Sequence, residues 1–99
     1  MAKYKVSIDK DLQDIVPGYL ATRRAELPGL FAFYSAGDLE SLRKAGHKLA
    51  GSGGGYGFDR LSELGKKIET VAHDGDAAGL AAPLAELRDY IENLEVVYE

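Results

Sequence analysis

The spacing of apolar residues is the feature that most constrains the fold of this chain, because it follows a helical period almost from end to end. The most regular stripe steps by 4, 3, 4 and 3 residues and consists of Leu80, Leu84, Leu87, Ile91 and Leu94. Such steps keep apolar side chains on one face of an α-helix. The two-residue alternation of a half-buried strand is limited to Tyr4, Val6 and Ile8, which are too few positions to predict a strand.

Capping residues and helix breakers divide this pattern into one short helix and four long ones. Asp9 suits the N-cap of the short helix, predicted over residues 11–15. The long helices are predicted to begin near Pro17, Asp38, Phe58 and Asp76, with short connections between them. Because short connections make successive helices antiparallel, we expect an all-α fold. The expected architecture is an antiparallel up-down four-helix bundle with a short additional N-terminal helix, in a single domain over residues 1–99.

The stripe of the last helix has a second interpretation, since the same spacing occurs at the seam of a dimeric coiled coil. At little more than two heptads, the stripe is short for such a seam. A core within one chain is therefore favoured, and we expect a monomer. A bundle that self-associates through its last helix is the weaker alternative.

Composition narrows the classes of function. The absence of cysteine excludes a disulfide framework, a thiol nucleophile and cysteine-ligated metal, and two histidines alone make a poor metal site. A net charge of −4 argues against nucleic-acid binding. No apolar run approaches the ~20 residues that span a bilayer, and the N-terminal residues do not form a signal peptide. We expect a cytoplasmic protein with no cofactor, no metal, and neither membrane nor nucleic acid as a partner.

Residues 43–58 carry more glycine than a helix tolerates without a reason, since each internal glycine costs about 1 kcal/mol relative to alanine. Glycine on the core face lets two helices approach closely, and glycine on the solvent face lets a partner molecule approach. At about 100° per residue, His47 lies about 140° from the core stripe of its helix. Its neighbours on that exposed surface are Arg43, Lys44, Ala50, Gly51 and Gly54. The segment therefore presents an exposed imidazole in a cleared, basic neighbourhood.

A phosphate-binding loop is the competing explanation for these glycines. The P-loop requires a lysine after its last glycine, and none follows at that place. In the dinucleotide motif the third glycine position falls on Tyr56 or Phe58, and neither motif has its preceding strand. A nucleotide-binding loop is therefore disfavoured.

The sequence His47-x-Leu49-x-Gly51-Ser52, followed by Gly57, resembles the histidine phosphotransfer (HPt) domain of bacterial two-component phosphorelays. The resemblance extends from Asp9 to the end of the chain. It implies that His47 accepts a phosphoryl group on Nε2 and exchanges it with an aspartate of a response-regulator receiver domain. The expected partners are such a receiver, a sensor histidine kinase, or both. The chain would then be a phosphohistidine carrier and not an enzyme, because the partner supplies Mg²⁺ and the aspartate.

The resemblance also suggests roles for residues around His47. Gly51 would provide clearance for the phosphoryl group and the incoming receiver. Glu69 would accept a hydrogen bond from Nδ1–H of His47. An equal alternative is that Glu69 is an ordinary solvent-exposed residue on the flank of its helix. Relatives commonly carry a lysine where this chain has Ala50. The residues that would substitute for that charge are Lys44, Lys48 and Lys67. The basic residues expected around the site are Arg43, Lys44, Lys48, Lys66 and Lys67.

Two further hypotheses compete with phosphotransfer. The first is an interaction module of the same fold that docks on a receiver without transferring phosphate, which the missing lysine would explain. The second treats His47 as an ordinary surface residue. Only the relay requires the imidazole itself.

Overall fold

Four helices form most of the structure, a computed structural model that describes residues 3–99. They are α1 (Val16–Ala36), α2 (Leu39–Gly53), α3 (Asp59–His73) and α4 (Ala81–Glu92). Three single-turn 3₁₀ segments accompany them in the described residues: Lys10–Leu12, Gly54–Tyr56 and Ala78–Leu80. The all-α helical bundle predicted from periodicity is thus confirmed. None of the helices within residues 3–99 is both long and apolar enough to cross a membrane.

The first three long helices begin close to the predicted positions. The last does not, because α4 begins at Ala81 and Asp76 instead accepts a hydrogen bond from the Gly79 N–H at 3.0 Å in the preceding 3₁₀ turn. Gly37 ends α1 with a φ of 71°, a left-handed conformation that glycine adopts without a Cβ penalty. Asp38 caps α2, because its Oδ1 accepts a hydrogen bond from the backbone N–H of Ser41 at 3.1 Å. Asp9 also caps as expected, but its helix is only the 3₁₀ turn Lys10–Leu12 and not a helix over residues 11–15.

A two-stranded parallel sheet is the main departure from the predicted architecture. Strand β1 (Tyr4–Ile8) pairs with β2 (Leu94–Tyr98) in a register that runs from Tyr4 opposite Leu94 to Ile8 opposite Tyr98. Assigning Leu94 to the last helix was therefore wrong, since α4 ends at Glu92. The short alternation in β1 is a true strand, whose partner lies at the other end of the chain. The sheet joins both ends of the chain to the bundle.

The core is continuous and apolar. The stripe residues Leu80, Leu84, Leu87 and Ile91 are all buried within this core. The stripe therefore packs inside its own chain, in agreement with the favoured interpretation. Phe58 and Ile8 extend the core to the end of the bundle where α2 leads into α3.

Helices α2 and α3 pack backbone against backbone at three glycines. A Cβ atom at Gly46 would lie 2.7 Å from the carbonyl oxygen of Gly65, and one at Gly65 would lie 2.6 Å from the backbone nitrogen of Ala50. A Cβ at Gly53 would lie 2.8 Å from the backbone nitrogen of Ser62. Real Cβ atoms do not approach backbone so closely, so these glycines set the separation of the two helices.

We expect Gly65→Ala to lower the free energy of unfolding by about 1–3 kcal/mol, because the added methyl must push α2 away from α3. This loss occurs although alanine is intrinsically the better helix former by about 1 kcal/mol. Gly51→Ala is the matched control, since a Cβ there would meet nothing within 4 Å. Urea unfolding measures both. Equal stability of the two variants would contradict glycine-controlled packing.

A second contact joins the sheet to α4. Asp89 accepts hydrogen bonds from the Tyr4 hydroxyl at 2.6 Å and from Lys3 Nζ at 3.0 Å. These two bonds, that of Tyr4 first, hold the pKa of Asp89 below its ordinary value of 3.8. Because folding depresses this pKa, the stabilisation is present above the unfolded-state value and is lost as the pH falls through the folded-state value.

We expect Asp89→Asn to be less stable than the wild type at about pH 7, with the difference shrinking as the pH falls below about 4. Urea unfolding of both proteins across this range tests the sign. Glu92→Gln is the matched control, because Glu92 is an exposed carboxylate of the same helix that forms no ion pair within residues 3–99. A difference that stays constant with pH would contradict the role of the Asp89 carboxylate.

Candidate functional site

His47 projects from the middle of α2 into solvent, as the helical wheel predicts. Its side chain is 73% exposed, while Leu42 and Leu49 on the opposite side of the helix are buried. An imidazole this open is accessible to a macromolecular partner without any rearrangement of the fold.

Glu69 of α3 fixes the orientation of the exposed ring. Its Oε2 lies 2.9 Å from Nδ1 of His47, and the glutamate side chain is only 20% exposed. An ionised carboxylate can only accept a hydrogen bond, so Nδ1 of a neutral His47 carries the proton. The lone pair of Nε2 then faces solvent, as a nucleophile requires. Of the two interpretations of Glu69, the structure supports the hydrogen-bond partner.

The glycine contact between α2 and α3 is what brings these two side chains together. A Cβ at Gly46, the residue before His47, would lie 2.7 Å from the backbone nitrogen of Glu69 and 3.1 Å from its Cα. The backbone of Glu69 therefore rests directly on α2 beside the histidine. A larger residue at position 46 would separate the carboxylate from the ring.

The end of α2 beyond His47 has two different kinds of glycine. Gly51 is exposed and faces open space, which leaves room for an approaching partner. A Cβ at Gly51 would meet no atom within 4 Å, the His47 ring included. Gly54, by contrast, packs on α3, where its backbone N–H donates to the Ser62 hydroxyl at 2.7 Å.

Ser62 was missed by the sequence analysis and has a clear structural part. Its hydroxyl accepts from the N–H of Gly54 and donates to the carbonyl of Ala50 at 2.9 Å. In an uninterrupted helix the Gly54 N–H would bond directly to the Ala50 carbonyl. The serine is thus inserted into the hydrogen-bond ladder where α2 changes to a 3₁₀ turn. Nothing in the local sequence marks this contact, because it joins two helices.

The predicted basic residues occupy different flanks of the site. Arg43 is engaged by Glu40, with Nη2 to Oε1 at 2.6 Å and Nε to Oε2 at 3.1 Å, and this carboxylate raises the pKa of the guanidinium. Lys44 and Lys48 are exposed and border a groove between α1 and α2. Neither forms an ion pair within the described part of the chain. They are therefore available to an anionic partner.

Lys66 and Lys67 of α3, both expected around the site, lie on different sides of their helix. Ser62 and Glu69 both contact α2. Lys66 lies four residues after Ser62 and three before Glu69, so it shares their side of the helix. Lys67 lies about 100° further round. Lys66 therefore lies on the side of α3 that carries Glu69, and Lys67 does not.

His73, the other histidine, is exposed in the last turn of α3. Among residues 3–99, no three histidine or carboxylate side chains are grouped as metal ligands.

The relationship to known proteins agrees with this geometry. The family described as the Hpt domain matches residues 3–96, essentially the whole chain. Comparison with curated proteins and comparison with solved structures each gave no significant match. Because the family match covers all four helices and the exposed histidine together, this chain belongs to the Hpt domain family, the phosphotransfer modules of two-component signalling.

Proposed function

We propose that this protein is a phosphorelay intermediate that carries a phosphoryl group on Nε2 of His47 and exchanges it with an aspartate of a receiver domain. The observation that carries the proposal is the exposed imidazole whose Nδ1 lies 2.9 Å from the Glu69 carboxylate. If the imidazole were buried, or if its hydrogen bond to Glu69 used the other ring nitrogen, Nε2 would not be free to act as a nucleophile.

The chemistry follows from the tautomer that Glu69 selects. The Nε2 lone pair attacks the phosphorus of the receiver's aspartyl phosphate, the N–P bond forms, and the bond from phosphorus to the aspartate oxygen breaks. The aspartate leaves as a carboxylate, and the ring becomes a phosphoimidazolium that keeps its proton on Nδ1. The negative Glu69 side chain beside Nδ1 stabilises the positive charge that the ring gains. Transfer in the other direction reverses these steps.

The surface around His47 suits an acidic partner. Lys44 and Lys48 are exposed on the same helix as His47, and Lys66 is exposed on the side of α3 that carries Glu69, so this part of an acidic chain offers positive charge. A local basic patch raises the association rate with an acidic site. The open space at Gly51 lets the partner approach the ring closely.

Ala50 stands where related domains carry a lysine, and its surroundings bear on the proposal. The residue is half-buried at the edge of the α2–α3 contact, where its carbonyl accepts the Ser62 hydroxyl. The charge that a lysine would supply from this position must come from Lys44, Lys48 or Lys66. If their charge does not reach the phosphoryl oxygens, the docking module without transfer becomes the better account.

We expect acid-labile phosphate on the wild-type protein after incubation with phosphorylated receiver domains, and none on His47→Gln. The glutamine removes the nucleophilic nitrogen at an exposed position, so the fold is unaffected. Radiolabelled phosphate and circular dichroism measure the two properties. His73→Gln is the matched control and should accept phosphate like the wild type.

Receiver binding separates the two candidate functions. Phosphate on His47→Gln would contradict the assignment of the nucleophile. Absence of phosphate from every variant, with wild-type and His47→Gln binding the receiver equally, would favour the docking module.

Glu69 is a positioning residue in this proposal, and its removal should slow transfer by about tenfold, the scale of one charge-assisted hydrogen bond. In Glu69→Ala the fraction of neutral His47 with its proton on Nδ1 should also fall, which ¹⁵N NMR of the ring nitrogens measures. Glu69→Gln retains an acceptor and should largely restore the tautomer. Glu63→Ala removes an exposed carboxylate of the same helix and should change neither property. An unchanged tautomer in Glu69→Ala would contradict the positioning role.

A further inference from the structure

A groove on the opposite flank of α2 from Glu69 is not used by the proposed transfer chemistry. It encloses about 550 Å³ between α1, α2 and α4. Its apolar lining consists of Leu27, Leu30, Phe33, Leu49, Leu87 and Ile91. This volume lies within the range of roughly 300–1,000 Å³ that is typical of small-molecule sites. A mainly apolar lining is also typical of such sites.

The groove exists because α2 is held against α3 and not against α1. The glycine contacts draw α2 onto α3, while three of the residues with which α2 lines the groove are small: Ser41, Ala45 and Ser52. Gly29 on α1 is equally small and faces open space. A hydrogen bond of 2.8 Å between the Tyr19 and Ser52 hydroxyls joins the two helices near the C-terminus of α2. The groove is therefore a consequence of the packing of the bundle.

The charged residues of this groove give it a net positive rim. Lys44 and Lys48 lie one helical turn apart on the same side of α2, and neither forms an ion pair within residues 3–99. Arg23 and Glu26 also line the groove, but they pair with each other, with Nη2 to Oε2 at 3.2 Å. Two unpaired cations thus border an apolar cavity on a chain that is acidic overall.

We propose that this groove binds a small amphipathic anion, with an apolar body among the leucines and Phe33 and a carboxylate between Lys44 and Lys48. The charge complementarity selects this ligand class, because an anion gains attraction from the two exposed lysines that a neutral apolar ligand does not. A carboxylate would satisfy the two ammonium groups together. The proposal does not depend on phosphotransfer, since neither His47 nor Glu69 lines the groove, although Lys44 and Lys48 are also the lysines proposed to attract the receiver.

Decanoate is a suitable probe, with 1-decanol as the neutral molecule of the same chain length. Titration of the methyl-labelled full chain, followed by ¹H–¹³C NMR, should give saturable shifts at the groove residues Leu27, Leu87 and Ile91. Leu61 and Leu64, which pack in the core but do not line the groove, should not shift. Decanol should bind more weakly than decanoate.

The double substitution Lys44→Gln with Lys48→Gln should weaken decanoate binding by about fivefold to tenfold, as the loss of two partly exposed charge pairs implies. Lys66→Gln with Lys67→Gln is the matched control, because it removes the same charge from exposed positions outside the groove. Its affinity should equal that of the wild type. Ala45→Leu, which places a larger apolar side chain in the groove, should abolish the shifts.

Three results would overturn the proposal. One is the absence of saturable shifts with decanoate below its micellar concentration. Another is a set of shifts spread over core and groove methyl groups alike, which indicates detergent-like action. The third is an equal loss of decanoate affinity in the groove double variant and in the control double variant. That result would show that decanoate responds only to the net charge of the protein.

Discussion

The direct backbone contact between α2 and α3 is the constraint on which the rest of this structure depends. It exists because Gly46, Gly53 and Gly65 carry no side chain at positions where a Cβ would lie within 2.6–2.8 Å of the opposing backbone. The contact fixes both the distance and the rotation of the two helices. Glu69 reaches Nδ1 of His47 only under that condition, and Ser62 reaches the end of α2 for the same reason. The helix-destabilising glycines thus have two explanations. Those facing α3 allow the close backbone contact, and Gly51 on the solvent face leaves space for a partner molecule.

Helix α2 combines three environments around its circumference, and each has a distinct physical consequence. Its glycine flank packs on α3 and supplies rigidity. Its solvent flank presents His47 with the open space of Gly51 beside it. Its remaining flank faces α1 across a groove edged by Lys44 and Lys48. A single fifteen-residue helix therefore carries the proposed nucleophile, two lysines available to a proposed acidic partner, and one wall of an apolar groove.

The helices were predictable because their signals are local. Apolar periodicity, the Asp38 cap and the Gly37 stop each act within a few residues, and they agree with the structure. The sheet was not predictable in the same way. Tyr4 pairs with Leu94, almost the full length of the chain away, and each strand alone is too short to distinguish itself from a loop or a helix end. Leu94 follows Ile91 at a helical spacing of three residues, so the apolar period predicts that it belongs to α4. In the structure it pairs with Tyr4 of β1 and is therefore part of a strand.

The sequence by itself determined the helical class, the exposure of His47 and the presence of a cleared surface beyond it, because these follow from the angular position of residues on one helix. Only the tertiary structure decided that the Glu69 carboxylate meets Nδ1 and that a groove opens beside Lys44 and Lys48. These properties depend on how far apart neighbouring helices lie and how each is rotated about its axis. Contacts between backbones remote in sequence set both quantities, and no local pattern encodes them.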